Sequence, residues 1–334
     1  MSKLLLITDA WEPQVNGVVR TLQTTIKCLK DVGIETEVVH PYKFPHIALA
    51  EFAIVKDIEW AEQAIECSMK ACDYIHIAVE GPLGIIAKRV AKRLNYQYTT
   101  AYHTMFPEYL KARYHIPLFI TYKFFKWFHE GSACVMVPNE PLCQMLNQRG
   151  IYNTKLWSRG VDTDLFKPYP KPQHESYYAL YVGRVSKEKN IEAFLNADIS
   201  FRKVVVGDGP DRARLEKKYP RVYFAGTQTG ETLAKYYSGA AVFAFPSKTD
   251  TFGLVNVEAL ACGTPVAGYP EPNMRGIIPR VSSIYPFVGY LSENLEVAIE
   301  SASWAEADAC RQYVLDNFTW EVCTEQFRNN LVLK

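Results

Sequence analysis

Asp250 and Glu258 stand eight positions apart in S-K-T-D-T-F-G-L-V-N-V-E-A-L-A-C-G, the stretch from Ser247 to Gly263, which runs from a strand end through a polar loop into an apolar helix. Open α/β sheets bind ligands at the carboxyl ends of their strands, and the amides of Phe252, Gly253 and Leu254 would face that mouth. Two carboxylates and a helix N-terminus suit a polar, phosphorylated ligand. The plainer alternative makes Asp250 a helix cap and leaves Glu258 in solvent. Upstream, Gly183-Arg184-Val185-Ser186-Lys187-Glu188-Lys189-Asn190 sits where a strand hands over to a helix, which puts Arg184 and Lys189 at the sheet mouth. A guanidinium grips phosphate oxygens in bidentate fashion and an ammonium adds a point charge, a combination that fits a diphosphate. Read alone, the stretch is equally a solvated charge run.

In the N-terminal half, Pro13-Gln14-Val15-Asn16-Gly17-Val18 forms a loop in which Gly17 lets a phosphate approach the backbone. It carries neither G-x-G-x-x-G nor G-x-x-x-x-G-K-[ST], which argues against a dehydrogenase or a P-loop NTPase. Gly207-Asp208-Gly209-Pro210 reads as a tight turn into the next helix. His103 ends a strand, where an imidazole can hydrogen-bond a sugar hydroxyl or phosphate near neutral pH. No metal-ligand spacing surrounds it, and no metal site or G-x-S-x-G nucleophile elbow is expected.

Parallel sheets must carry these side chains. Short apolar runs alternate with helical patterns, the signature of βαβ units. Strands are expected at 4–7, 37–40, 74–79, 98–102 and 134–137, with a first helix carrying Val18, Leu22, Ile26 and Leu29 on one face and helical segments after Pro82, Pro117 and Asn139. Residues 157–177 contain Gly160, Pro168, Pro170 and Pro172 without apolar periodicity and read as a connection. A second series has strands at 179–182, 203–206, 222–224, 242–245 and 265–267, with helices starting near Glu188, Pro210, Glu231 and Gly253. The expected architecture is α/β: two Rossmann-like domains facing a central cleft, residues 1–160 and 161–305, with a helical segment 306–334 returning to the first.

A chain of 334 residues, 48% hydrophobic, has material for two cores and is no disordered tail. Lys+Arg 37 against Asp+Glu 36 leaves a net charge of +1, too low for a typical duplex nucleic-acid binder. Eight cysteines without a C-x-x-C pair read as free, buried thiols of a cytoplasmic protein. No run approaches the roughly 20 apolar residues that span a bilayer, so any membrane contact is expected to be peripheral.

Together these motifs resemble glycosyltransferase family 4, retaining enzymes of the GT-B fold, over almost the whole chain. The family's Glu, seven residues, Glu pattern corresponds to Asp250 and Glu258, its diphosphate-binding Arg and Lys to Arg184 and Lys189, its glycine loop to Asn16 and Gly17, and its active-site histidine to His103. The resemblance implies that Glu258 binds the nucleotide ribose, that Asp250 and the Phe252, Gly253 and Leu254 amides hold the donor sugar, and that Gly17 contacts the diphosphate. Two departures bear on donor choice: Asp replaces the first Glu, and Asn16-Gly17 replaces the usual Gly-Gly. The stretches E-G-P-L-G at Glu80, Y-H-T-M-F-P-E-Y at Tyr102, W-S-R-G-V-D at Trp157 and S-K-T-D-T-F-G-L at Ser247 look most like bacterial enzymes that build glycosyl diacylglycerols.

From Lys88 to His129 eight cations (Lys88, Arg89, Lys92, Arg93, Lys111, Arg113, Lys123, Lys126) accompany one acid, Glu108, and are interleaved with aromatic residues including Trp127. Such a mixture suits the surface of anionic lipid; a core-facing stripe with a solvated basic face is the plain alternative. The expected function is transfer of a hexose from a nucleoside diphosphate sugar, UDP-glucose or UDP-glucuronic acid first and GDP-mannose next, to a lipid acceptor at the cytoplasmic face of a membrane, with no metal required and no nucleic-acid partner. A soluble or polysaccharide acceptor is the runner-up, and a non-catalytic nucleotide-sugar or lipid-surface module the alternative of a different class.

Overall fold

The computed structural model describes residues 2–14, 16–48, 53–170, 177–248, 250, 252–279 and 286–334, without the side chains of Ala112 and Arg113. Val15 of the glycine loop, Pro172 of the connection, Thr249 and Thr251 beside Asp250, and the Arg113 side chain of the basic strip lie outside the described residues. The chain divides into two compact units, unit 1 from Met1–Ser158 with Cys323–Lys334 and unit 2 from Arg159–Val322.

In unit 1, β1 (Ser2–Ile7), α1 (Gly17–Asp31) and β2 (Ile34–Val39) are followed by the antiparallel pair β3 (His46–Ala48) and β4 (Ala53–Val55) and by α2 (Ile58–Ala71). Then come β5 (Tyr74–Ile77), α3 (Pro82–Leu94), β6 (Thr99–Ala101), α4 (Phe106–Tyr114), α5 (Leu118–His129), β7 (Cys134–Val137), α6 (Glu140–Gln148) and β8 (Thr154–Leu156). The main sheet has the order β2-β1-β5-β6-β7-β8, parallel throughout. Side chains alternate along a strand, so Leu5 and Ile7 pack with Ile65 of α2 and Val90 of α3, while Leu4 and Leu6 pack with Leu22 and Leu29 of α1 and with Phe327. Both faces are covered, which is why this strand is an unbroken apolar run.

Unit 2 repeats the plan with β9 (Tyr178–Val182), α7 (Ile191–Asn196), β10 (Arg202–Val206), α8 (Arg212–Lys218), β11 (Tyr223–Gly226) and α9 (Gly230–Gly239). Its second half holds β12 (Val242–Phe245), α10 (Leu254–Ala261), β13 (Val266–Gly268), α11 (Pro272–Arg275), β14 (Gly289–Leu291), α12 (Leu295–Ala302) and α13 (Ala307–Asn317). The strand order β11-β10-β9-β12-β13-β14 is again parallel throughout. In each sheet the order reverses once, between β1 and β5 and between β9 and β12. Loops leaving the strands diverge at such a point and open a crevice at the carboxyl edge.

Two expectations change. Residues 306–334 form two helices, because Val161 takes the Phe318 carbonyl as acceptor at 2.9 Å and bridges to Thr319, using backbone that a continuous helix would need. The first, α13, packs its Cys310 and Val314 in unit 2 with Val257 and Leu260 of α10; of the second, α14 (Trp320–Asn330), the part from Cys323 belongs to unit 1. The helix expected near Glu188 begins at Ile191, after one 3-10 turn, because Asn190 adopts a left-handed φ of 53°.

Candidate active site

The loops after β9 and β12 meet at the reversal point of unit 2. Lys189 Nζ lies 2.7 Å from Asp250 Oδ1, and the Asn190 side-chain amide donates to the Pro246 carbonyl at 3.1 Å, joining the two loops. Tyr181 donates its hydroxyl to the Arg184 carbonyl at 2.8 Å, which fixes the loop backbone. The Arg184 guanidinium itself is 65% exposed and only 3.9 Å from Glu188, so it is available to a ligand. Asp250 Oδ2 is buried without a hydrogen-bond partner among the described residues.

Among the described residues no side chain caps α10, whose N-cap is Gly253 at φ 77°. A Cβ there would lie 2.6 Å from Asn256 Nδ2 and 2.9 Å from the Phe245 ring, so the turn admits only glycine. Asp250 is therefore committed to Lys189 and not to the helix. Glu258 is not solvated either: it is 7% exposed, and its Oε2 accepts the Tyr237 hydroxyl at 2.9 Å. Phe252 buries its ring against Phe318, and Leu254 is the first helical residue. An uncapped helix start beside Arg184 and Lys189 is a place where negative charge is stabilised. The Gly207 loop backs this arrangement: Val185 donates its amide to the Asp208 carbonyl at 2.9 Å, and a Cβ at Gly207 would strike the Gly183 carbonyl oxygen.

In unit 1 the loops after β1 and β5 converge in the same way. Asp9, 3% exposed, accepts from the Leu83 amide at 2.8 Å and the Gly84 amide at 3.1 Å, joining the first loop to the start of α3. Burial pushes its carboxyl up to about 6, the two amides opposing and Glu80 adding to the rise. Asn16 caps α1, its Oδ1 accepting from the Val19 amide at 3.0 Å. Gly17 follows with nothing within 4 Å of where a Cβ would stand, so the backbone is open to an anion there. His103, 8% exposed, lies just past β6 and meets the Trp157 ring edge-on at 5.4 Å.

A family model described as Glycosyltransferase Family 4 matches residues 15–165, and one described as Glycosyl transferases group 1 matches residues 162–302. The chain belongs to the family-4 glycosyltransferases. The glycosyltransferase is 27% identical over 331 residues to a GDP-mannose-dependent alpha-mannosyltransferase of Mycobacterium tuberculosis, covering 89% of this chain and 87% of that one. It is 25% identical over 371 residues to an alpha-monoglucosyldiacylglycerol synthase of Streptococcus pneumoniae, covering 96% and 82%. A sucrose-phosphate synthase from Thermosynechococcus elongatus, 22% identical, superposes with a TM-score of 0.76 over 98% of both chains, and the fold is GT-B.

The structure divides the glycosyltransferase's basic strip. Arg89 and Arg93 bind Glu62 and Glu66 of α2 at 2.7 to 3.1 Å. Lys88 donates to the Trp127 carbonyl and lies 4.5 Å over its ring, and burial lowers its pKa. Lys92, Lys123 and Lys126 are exposed. Six cysteines are buried as expected, but Cys67 is exposed and Cys28 only partly covered; none of the eight forms a disulfide among the described residues. Among the described residues no group of three or more His, Cys, Asp or Glu side chains is placed to hold a metal ion, and no helix is long and apolar enough to cross a membrane.

Sequence reading passed over Asp9 and Tyr237. Asp9 ends the first apolar run, and the carboxyl-edge logic that singled out His103 would have found it. Tyr237 gave no signal, because its link to Glu258 spans a strand and two loops.

Proposed function

We propose that the enzyme moves a hexose from a nucleoside diphosphate sugar to the hydroxyl of a membrane lipid such as diacylglycerol, with retention at the anomeric carbon. The exposed face of α5 carries this reading. Phe119 is 75% exposed, and Ile120, Phe124 and Trp127 are exposed beside Lys123 and Lys126, while Tyr122, Phe125 and Phe128 fill the core. A purely core-facing stripe accounts for the second group and leaves the first without a role. An apolar and cationic helix face fits the interfacial layer of anionic lipid. The similarity to the Streptococcus pneumoniae synthase supports diacylglycerol as acceptor and glucose as sugar.

In the proposed reaction the bond from the anomeric carbon to the phosphate oxygen breaks, and its electron pair stays on the diphosphate. Arg184, Lys189 and the first amides of α10 stabilise that charge, an electrostatic role for which no divalent metal is invoked. The acceptor oxygen bonds to the same face of the sugar, and its proton passes to the departing phosphate oxygen. Glu258, held by Tyr237, binds the ribose; Asp250, held by Lys189, binds the sugar; Gly17 meets the diphosphate and His103 orients the sugar or diphosphate. The work is done at the cytoplasmic face of the membrane. A second reading, GDP-mannose as donor, is favoured by the similarity to the Mycobacterium tuberculosis enzyme.

Nucleotide release is measured over a panel of donor sugars, with and without diacylglycerol vesicles and with EDTA, followed by chromatography of the lipid phase. The expected result is EDTA-insensitive release from one uridine donor that requires lipid and yields a glycolipid. Release from GDP-mannose alone favours the second reading, and release with no lipid product refutes the lipid acceptor.

A further inference from the structure

Trp157 follows β8 and is fully buried, its amide donating to the Val137 carbonyl at 2.8 Å. Rings from three described residues pack against its indole. Phe327 of α14 lies 4.7 Å away at 57°, His76 of β5 5.9 Å at 88°, and His103 5.4 Å at 84°. Phe327 also packs on His76 at 5.0 Å, and the Ser158 amide donates to Gln326 Oε1 at 2.8 Å, so the indole is clamped between the sheet and the C-terminal helix. His103 thus sits at the carboxyl edge with a perpendicular indole beside its imidazole.

We propose that Trp157 is a positioning residue for the glycosyl transfer: its indole sets the plane of the His103 imidazole, and Phe327 holds the indole. The inference rests on the proposed role of His103 toward the sugar or diphosphate. An imidazole on a single methylene has two soft torsions, and an edge-to-face partner biases competing ring orientations by roughly two- to tenfold. Small displacements of an orienting group lower turnover far more than they weaken binding. The W-S-R-G-V-D stretch then has a chemical reason for its tryptophan: the indole touches His76, Phe327 and His103 together.

The test is a double-mutant cycle of Trp157→Leu and Trp157→Phe in wild-type and His103→Ala backgrounds, read as kcat and KM with the thermal midpoint as control. Trp157→Leu is expected to lower kcat about tenfold with the donor KM within about twofold, and Trp157→Phe, which keeps an edge-to-face ring, to recover most of the loss. In the His103→Ala background Trp157→Leu is expected to cost nothing further. Losses that multiply across the two backgrounds overturn the inference, since they would mean that the indole acts on the fold and not through the imidazole. Wild-type activity in His103→Ala alone overturns the role of His103 and this inference with it, whereas a large loss there with multiplying effects overturns the inference only. Should Trp157→Leu fail to fold, Phe327→Leu, which releases the indole from behind, takes its place in the cycle with the same expectations.

Discussion

Asp9→Asn isolates the cost of holding a charged carboxylate at the reversal point of unit 1. Burial lifts the folded-state pKa from 3.8 to about 6. The folded protein therefore binds the Asp9 proton more tightly than the unfolded chain does. Stability from that proton is fully present below the unfolded value and is lost as the pH rises through about 6. At about 1.4 kcal/mol per tenfold, the rise corresponds to about 3 kcal/mol in all, a little under half of it between about pH 5 and pH 7. The amide variant has no charge at any pH, but offers one acceptor oxygen to the two amides of Leu83 and Gly84, a pH-independent loss of about 1–3 kcal/mol. Urea unfolding of both proteins across this range cancels, in the difference, every titrating group that does not interact with Asp9, and Glu80 is the coupled group that remains. The wild-type advantage should shrink by about 1 kcal/mol from about pH 5 to pH 7. A constant or widening advantage, or a 13C titration of the Asp9 carboxyl with a midpoint near that of a free aspartate, refutes the burial argument.

In unit 2, under the proposed mechanism, Lys189→Ala should lower kcat by about 10²–10³ in a coupled nucleotide-release assay, since it would remove a cation from the leaving group as well as the partner of Asp250; unchanged turnover would exclude Lys189 from the chemistry. Tyr237→Phe leaves Glu258 without its phenol donor and should raise the donor KM about tenfold with kcat nearly unchanged. Gly253→Ala places a Cβ against Asn256 and Phe245 at a φ of 77°, and should lower the thermal midpoint by several degrees while weakening donor binding. Under the proposed lipid reading, Phe119→Ser with Trp127→Ser should abolish flotation with anionic vesicles and spare turnover on detergent-dispersed acceptor; raised salt should weaken flotation only in part.

The parts of this fold legible from sequence are those whose environment is uniform. Leu4 to Ile7 is covered on both faces, so its apolar run stands out against any neighbour. Arg184, Lys189 and Asp250 sit in short stretches at strand ends, with Glu258 in the helix that follows, and parallel topology alone suggests that the two loops meet. What topology cannot supply is the pairing. Lys189 could have faced solvent and Asp250 could have capped α10; the left-handed turn at Asn190 and the uncapped glycine start of the helix decide between these, and both are local backbone features. Tyr237 reaches Glu258 only because α9 and α10 pack side by side, a contact with no counterpart in residue spacing.

The basic strip shows how a missed element distorts a charge argument. Helix α2 buries Ala61, Ile65 and Met69 on one stripe but leaves Ile58 and Trp60 exposed, which blurs its apolar period, and it carries no mark as plain as the Pro82 start of α3. Glu62 and Glu66 lie outside the stretch from Lys88 to His129 and reach Arg89 and Arg93 only through the packing of α2 on α3, so a count along the sequence leaves these arginines as cations for lipid. Once those acids are in place, Lys92, Lys111, Lys123 and Lys126 remain as exposed cations of the strip, Lys92, Lys123 and Lys126 among them on the proposed membrane face. Each lysine near an anionic surface contributes about 1 kcal/mol, comparable to burying little more than one methylene. The side chains of Phe119, Ile120, Phe124 and Trp127 offer far more than that, so under the proposed lipid reading attachment would be apolar insertion steered by charge.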